Sequence, residues 1–317
     1  LGREGVARSR LGPVRKAIVD VGSNSILLLV AERRGDDWEP VLETTAVTAL
    51  GEGTKETGLL GETSMVATLL ALKEAFDQAS QAGAQDVLAR ATMAARIARN
   101  TDDFLARAAA QGTPVEVLPG EEEARLGLLA VTTDPTFAAQ DSVSMIDVGG
   151  HSTEIVLARR ERDIWHENFR RSFAIGTLGL RGSLLNEESP SFSARLAAAV
   201  EVDGHLAPLA EVAPTSDVTV TLGATGTNLA SIRDRARDWN PQRVHGAHLS
   251  YEEISKAVGW LSGLTDSERS QVPGVEPGRE RTIHIGALIL ERAMHALRVE
   301  GCRVSVRGWR HALLHEQ

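Results

Sequence analysis

Cysteine is almost missing from this 317-residue sequence: Cys302 stands alone, which excludes an internal disulfide and a cysteine metal cluster and suits a reducing compartment. Aromatic residues make up only 4%, so alanine and small aliphatics must fill much of any core. No stretch is apolar enough to span a bilayer. The basic start, Leu1–Lys16, lacks the apolar middle of a secretory signal. Residues 1–15 therefore read as a flexible lead-in, and the chain as a cytoplasmic protein without a membrane partner. Lysine is also scarce, at positions 16, 55, 73 and 256, which leaves 30 of the 34 basic residues as arginine. Arginine's planar fork suits bidentate phosphate contacts, although a base-composition bias gives the same count. A formal charge of −9 argues against stable nucleic-acid binding, because the long-range term is repulsive. It leaves open a polyanion held in a local cleft.

What is present is an ordinary folded composition, 42% hydrophobic and 24% charged, at a length that suits two domains. Strand and helix patterns alternate along the chain, the signature of α/β layering. Residues 16–32 read as strand, tight turn, strand, and 41–50 as a further strand. Helices are expected over 62–82, 101–111 and 121–131, with short strands at 87–91 and 115–118. The polar stretch 132–141, with Pro135, marks a boundary between domains at 16–135 and 136–317. Beyond it, 143–159 again reads as strand, turn, strand, followed by a strand at 164–174 and helices at 178–185 and 193–209. A strand at 218–222 leads to a helix from Asn228. Helices at 251–262 and 281–299 and a strand at 303–306 precede a short terminal helix, which either completes the second domain or packs back on the first.

The two strand–turn–strand units echo each other. Ile18-Val19-Asp20-Val21-Gly22-Ser23-Asn24-Ser25 aligns with Met145-Ile146-Asp147-Val148-Gly149-Gly150-His151-Ser152 at a constant offset of 127 residues, Asp20 to Asp147. Self-similarity at domain-sized spacing points to two related domains. A turn of the form Asp-x-Gly-small-x-Ser offers backbone N–H groups and a hydroxyl to phosphate oxygens, and glycine permits the close approach. An aspartate at its mouth can hold a divalent cation. Alone, either turn is equally well a capped hairpin. A third glycine segment, Leu222–Asn228, lies between a strand and a helix, a setting in which helix N–H groups receive phosphate.

These pieces resemble the exopolyphosphatase/guanosine pentaphosphate phosphohydrolase family of the actin, sugar-kinase and heat-shock-chaperone ATPase superfamily. The resemblance runs from about Ala17 to Leu314. It is carried by AIVDVGSNSILLLVA (17–31), ATMAARIARNTDDFL (91–105), LPGEEEARLG (118–127), MIDVGGHSTEIVLA (145–158), LGATGT (222–227) and, less closely, SVRGWRHALL (305–314). It implies an α/β fold of two actin-like (ribonuclease H-like) domains, with mixed sheets flanked by helices and an interdomain cleft. It also implies hydrolysis of the terminal phosphate of inorganic polyphosphate, or of the 5′-phosphate of guanosine pentaphosphate.

Residue by residue, the resemblance puts the catalytic glutamate on Glu123, which would orient and deprotonate the attacking water, with Glu122 as second choice. Acids at a helix start also complement its dipole, which accounts for Glu121 and Glu122 without catalysis. Asp147 and Glu154, with Asp20, fall at acidic positions assigned to Mg²⁺. Phosphate contacts fall to Gly22, Ser23, Asn24, Ser25 and Arg96, to Gly149, Gly150 and Ser152, and to Gly223, Thr225, Gly226 and Thr227. The partners implied are polyphosphate or guanosine penta- and tetraphosphate, and a homodimer is compatible. Four departures stand out. His151 replaces a third glycine, where it could bind phosphate, titrate near neutral pH, block the site or simply fill space. Val306, Arg310-His311-Ala312 and Arg281 also differ from the pattern. The chain ends where longer relatives add a helical region, so the short two-domain form is expected. The competing expectations are a superfamily nucleotide hydrolase or kinase, and a non-catalytic binder of polyphosphate or alarmone.

Overall fold

In the computed structural model, residues 13–212 and 216–316 are described, so nearly all of the expected lead-in, 1–15, lies outside the described residues. The first half builds one sheet from β1 (Arg15–Val21), β2 (Ser25–Arg34), β3 (Asp37–Val47), β4 (Asp86–Ala91) and β5 (Glu116–Val117), in the order β3-β2-β1-β4-β5. Apolar residues run almost without break through β1 because both of its faces are covered. Ala17, Val19 and Val21 point to one face, where Leu69 and Leu72 of the helix Glu62–Gln81 pack; Ile18 points to the other.

The second half repeats the plan. Its sheet contains β6 (Ser142–Val148), β7 (Thr153–Glu161), β8 (Ile164–Phe173), β9 (Val218–Leu222), β10 (His248–Ser250) and β11 (Gly301–Val304), in the order β10-β11-β9-β6-β7-β8. β1 pairs antiparallel with β2 and parallel with β4; β6 pairs antiparallel with β7 and parallel with β9. Even the irregularity repeats. The β2–β3 pairing slips between Val30 and Ala31, and the β7–β8 pairing between Leu157 and Ala158, which is the same offset of 127. A β-bulge bends and twists a strand, so a bulge at equivalent positions gives the two sheets the same curvature. These are the two mixed sheets flanked by helices that the sequence implied.

One helix touches both sheets. Gly120–Thr132 turns Leu126 and Ala130 toward Ile18, Leu29 and Ala31 of the first sheet, and Ala124, Leu128 and Val131 toward Val143, Met145 and Val156 of the second. Gly127 lets the helix sit close to Met145, whose Cε a Cβ would meet at 2.9 Å. The terminal helix Trp309–His315 takes the second of its two expected courses: Trp309, Ala312, Leu313 and Leu314 pack with Ile18 and Leu126, against the first sheet.

Several elements differ from expectation, among them the following. β3 begins at Asp37 and ends at Val47, because its pairing with β2 continues through the hairpin turn. The short edge strand β10 is too brief to show a period in sequence. The helix after β9 begins at Gly223, not at Asn228, so the third glycine segment is the opening of a helix and not a loop.

Candidate active site

Asp20 and Asp147 are the penultimate residues of β1 and β6, and both open onto one cleft of about 540 Å³. The turn that follows each is closed in the same way: Gly22 N donates to Ser25 O, and Gly149 N to Ser152 O, both at 2.9 Å. A Cβ would stand 3.0 Å from Ser25 O at Gly22 and 2.9 Å from Ser152 O at Gly149, so a side chain would spread either turn. The turns also meet. A Cβ on Gly150 would lie 2.9 Å from Ser23 Cβ and 3.6 Å from Asn24 N.

Four carboxylates gather here. Asp20, Glu123, Asp147 and Glu154 all line the cleft. Burial pushes Asp20 up to about 7; Glu123 and Asp147 add to this, and Arg310 opposes it. Asp147 is likewise pushed up to about 7, by burial first and then by Glu123. Glu154 lies well above the usual carboxylate range through burial and the neighbouring Glu123 and Asp147, although its Oε1 accepts a 2.6 Å hydrogen bond from Ser172 Oγ. Glu123 is raised by burial against the pull of Arg96. Such a site is under electrostatic stress that a bound cation relieves.

The residues fit a hard divalent ion. All the donors are oxygens, and Asp20 Oδ1 is buried with no hydrogen-bond partner. Among the described residues, however, no group of three or more such side chains converges into a cage. Asp20, Asp147 and Glu154 therefore do not form a closed ligand set by themselves. Mg²⁺ is commonly held by one or two carboxylates, with water and substrate phosphates completing its shell.

The three consecutive acids at the start of helix Gly120–Thr132 separate cleanly. Glu121 reaches Arg170 at 3.2 Å. Glu122 is held by Arg125 at 2.7 and 2.8 Å and does not line the cleft, which removes it as an alternative base. Glu123 turns into the cleft, its Oε2 accepting from Arg96 Nη1 at 2.8 Å. Helical spacing of about 100° per residue sends the three in different directions.

Several expected phosphate contacts are placed elsewhere. Arg96 does not line the cleft; it also donates to Leu118 O at 2.7 Å, and its buried Nη2 has no partner. Gly223, Thr225 and Thr227 do line the cleft, Thr227 with its hydroxyl turned back to Ala224 O at 3.2 Å. Gly226 does not: a Cβ there would meet Thr221 Cγ2 at 2.6 Å, so its role is close helix–strand packing. His151 neither lines nor blocks the cleft. It is 1% exposed and stacked over Gly51, and burial pushes it down to about 4, so it stays neutral at physiological pH.

Two arginines of the cleft were not among the expected site residues. Arg279 Nη2 donates to Ser25 Oγ at 3.0 Å, and its buried Nε is unpartnered. Arg310, 9% exposed, also has an unpartnered Nε. Arginines flanking a glycine between a last strand and a helix, as in Arg307-Gly308-Trp309-Arg310, were the available signal.

Comparison with known proteins points to one family. The Ppx/GppA phosphatase family matches residues 29–317. Exopolyphosphatase 1 of Mycobacterium tuberculosis is 28% identical over 309 residues, spanning 95% of this chain and 87% of that protein. Exopolyphosphatase 2 of the same organism is 28% identical over 297 residues, spanning 90% of this chain and 91% of that protein. The crystal structure of the Aquifex aeolicus Ppx/GppA family member superposes with a TM-score of 0.77 at 29% identity, covering 96% of this chain and 97% of that one.

Proposed function

The chain belongs to the Ppx/GppA phosphatase family, and from that premise we propose that it releases terminal phosphate from inorganic polyphosphate, with Glu123 as the general base. The observation that carries this reading is the position of Glu123, the one acid of its triplet inside the cleft, facing Asp20, Asp147 and Glu154. Arg96 fixes Oε2 of its carboxylate, and Oε1 makes no hydrogen bond among the described residues. A raised basicity suits a group that must take a proton near neutral pH.

In the reaction, Glu123 takes a proton from water as the water oxygen bonds to the terminal phosphorus. The anhydride P–O bond breaks, and its electron pair leaves with the shortened chain. The N–H groups of the two Asp-Gly turns, with Ser25, Ser152 and Arg279, cradle phosphate oxygens, since phosphoryl transfer needs mainly positioning and charge neutralisation. Asp147, with Asp20 and Glu154, would hold Mg²⁺, which supplies neutralisation of phosphate charge.

The 5′-phosphate of guanosine pentaphosphate is a second substrate reading, favoured by Trp239. This residue is 61% exposed, lines the same cleft and offers a ring face for base stacking. Phosphate release from short polyphosphate, long polyphosphate, guanosine pentaphosphate and ATP, by wild type and Glu123→Ala, tests the proposal. Turnover of polyphosphate lost in the variant supports it, and equal rates refute the assignment of Glu123. Fastest turnover of ATP makes the protein a nucleotide hydrolase, and binding without any turnover makes it a binder.

A further inference from the structure

Two residues that the chemistry above leaves unused, His151 and Arg281, both reach one short segment of the first half, Gly51–Thr57. A Cβ on Gly51 would stand 2.5 Å from His151 Cε1 and 2.6 Å from its Nδ1, so the ring occupies the space over that glycine. Gly51 N donates to Ser23 O at 2.8 Å. Ser23 Oγ accepts from Ala94 N at 3.2 Å, and Ala94 lies in the helix Met93–Ile97, which carries Arg96 to Glu123. Beside this stack, Lys55 Nζ donates to Ala174 O at 2.7 Å, and Arg281 Nη2 pairs with Glu52 Oε1 at 2.6 Å. Each of these flanking contacts joins the two halves.

We infer that His151 is a positioning residue for the hydrolytic site: its ring sets the spacing between the two Asp-Gly turns by filling the space over Gly51, and the Gly51–Ser23–Ala94 hydrogen bonds carry that position to Arg96 and Glu123. The inference rests on the reading of Glu123 as the base. The role is one of volume. Nδ1 has no hydrogen-bond partner, and the ring touches no cleft surface. The Arg281–Glu52 pair is a secondary latch, since half-exposed pairs contribute little by themselves.

A four-protein cycle tests this: wild type, His151→Gly, Gly51→Ala and the double variant. Gly51 does not occupy the left-handed region, and the nearest atoms an alanine meets are those of His151 and, at 3.0 Å, Ser23 Cβ. Each single variant is expected to lower kcat/KM for polyphosphate by about 10-fold or more, the scale of small misplacements at a reacting centre. The double variant should regain part of the loss, because the new methyl enters the space the ring has left. Losses that multiply, or single variants that lower the melting temperature while KM and kcat stay at wild-type values, would overturn the proposal.

Small-angle scattering of the metal-free proteins gives a readout without turnover. The single variants should change the radius of gyration and the double variant should restore it; four identical curves count against the proposal. If wild type releases no phosphate, the Glu123 reading fails, and scattering still decides whether His151 sets the spacing. If His151→Gly does not fold, His151→Ala takes its place in the cycle with Gly51→Ala. Its kcat/KM should likewise fall and be partly regained on adding Gly51→Ala, and losses that multiply refute the proposal.

Discussion

Replacing Asp147 by asparagine removes a charge that the metal-free fold holds against its own burial. The carboxyl is pushed from 3.8 up to about 7, by desolvation first and by Glu123 second. A shift of that size corresponds to roughly 4 kcal/mol of destabilisation once the group is fully ionised in both states. The raised folded pKa means that the native state holds its proton more tightly than the unfolded chain. Stability therefore falls as pH rises from about 4 through 7, and the penalty is complete above 7. At pH 5.5 only the part accumulated above 3.8 is felt, roughly 2 kcal/mol. Asparagine does not titrate, so whatever its amide costs is the same at both pH values. In chelator, Asp147→Asn should thus gain about 2 kcal/mol more over wild type at pH 8 than at pH 5.5. Urea midpoints of both proteins at the two pH values measure this. In wild type, Mg²⁺ should raise the melting temperature more at pH 8 than at pH 5.5, because it competes with the protons on Asp20 and Asp147. A gain from asparagine that is equal at both pH values, or larger in acid, would refute the account of a buried, mutually repelling carboxylate set.

Glu123→Gln should lower kcat by about 10²–10⁴ without unfolding the protein, as loss of a general base does. Glu122→Gln, which faces Arg125, should leave steady-state rates near wild type, and equal losses in the two would break the assignment. Gly226→Ala should destabilise by about 1–3 kcal/mol in urea, because the new methyl meets Thr221, while KM stays unchanged. Leu314→Ala should cost about 2–5 kcal/mol by the same measurement, since Leu314 is 2% exposed within the cluster that holds the terminal helix to the first sheet.

The duplicated sheet was legible because an aspartate, a glycine and a serine recur at one offset in contexts of strand periodicity, and the paired bulges carry the same offset. Asp20 and Asp147 were legible near the ends of their strands, and Glu123 through the resemblance carried by LPGEEEARLG, since a place at a helix start alone fits all three acids. What sequence did not show was direction. Gly226 reads like a phosphate glycine, yet the helix has already begun at Gly223 and turns it onto Thr221. His151 reads like an obstruction, yet the turn points it away from the cleft, onto a segment a hundred residues earlier. Arg279 comes into the cleft from a part of the chain with no local motif, through tertiary packing that periodicity does not encode.

The helix wedged between the two sheets has a mechanical meaning. A rotation of one half against the other about the helix that both grip, Gly120–Thr132, would use that helix as an axle. A side chain at the first turn of an axle has almost no lever arm. Glu123 would stay nearly still while the two Asp-Gly turns, farther out, swing through the larger arc. A site built this way could open to admit its ligand and close on it again while the Glu123 carboxylate keeps its aim.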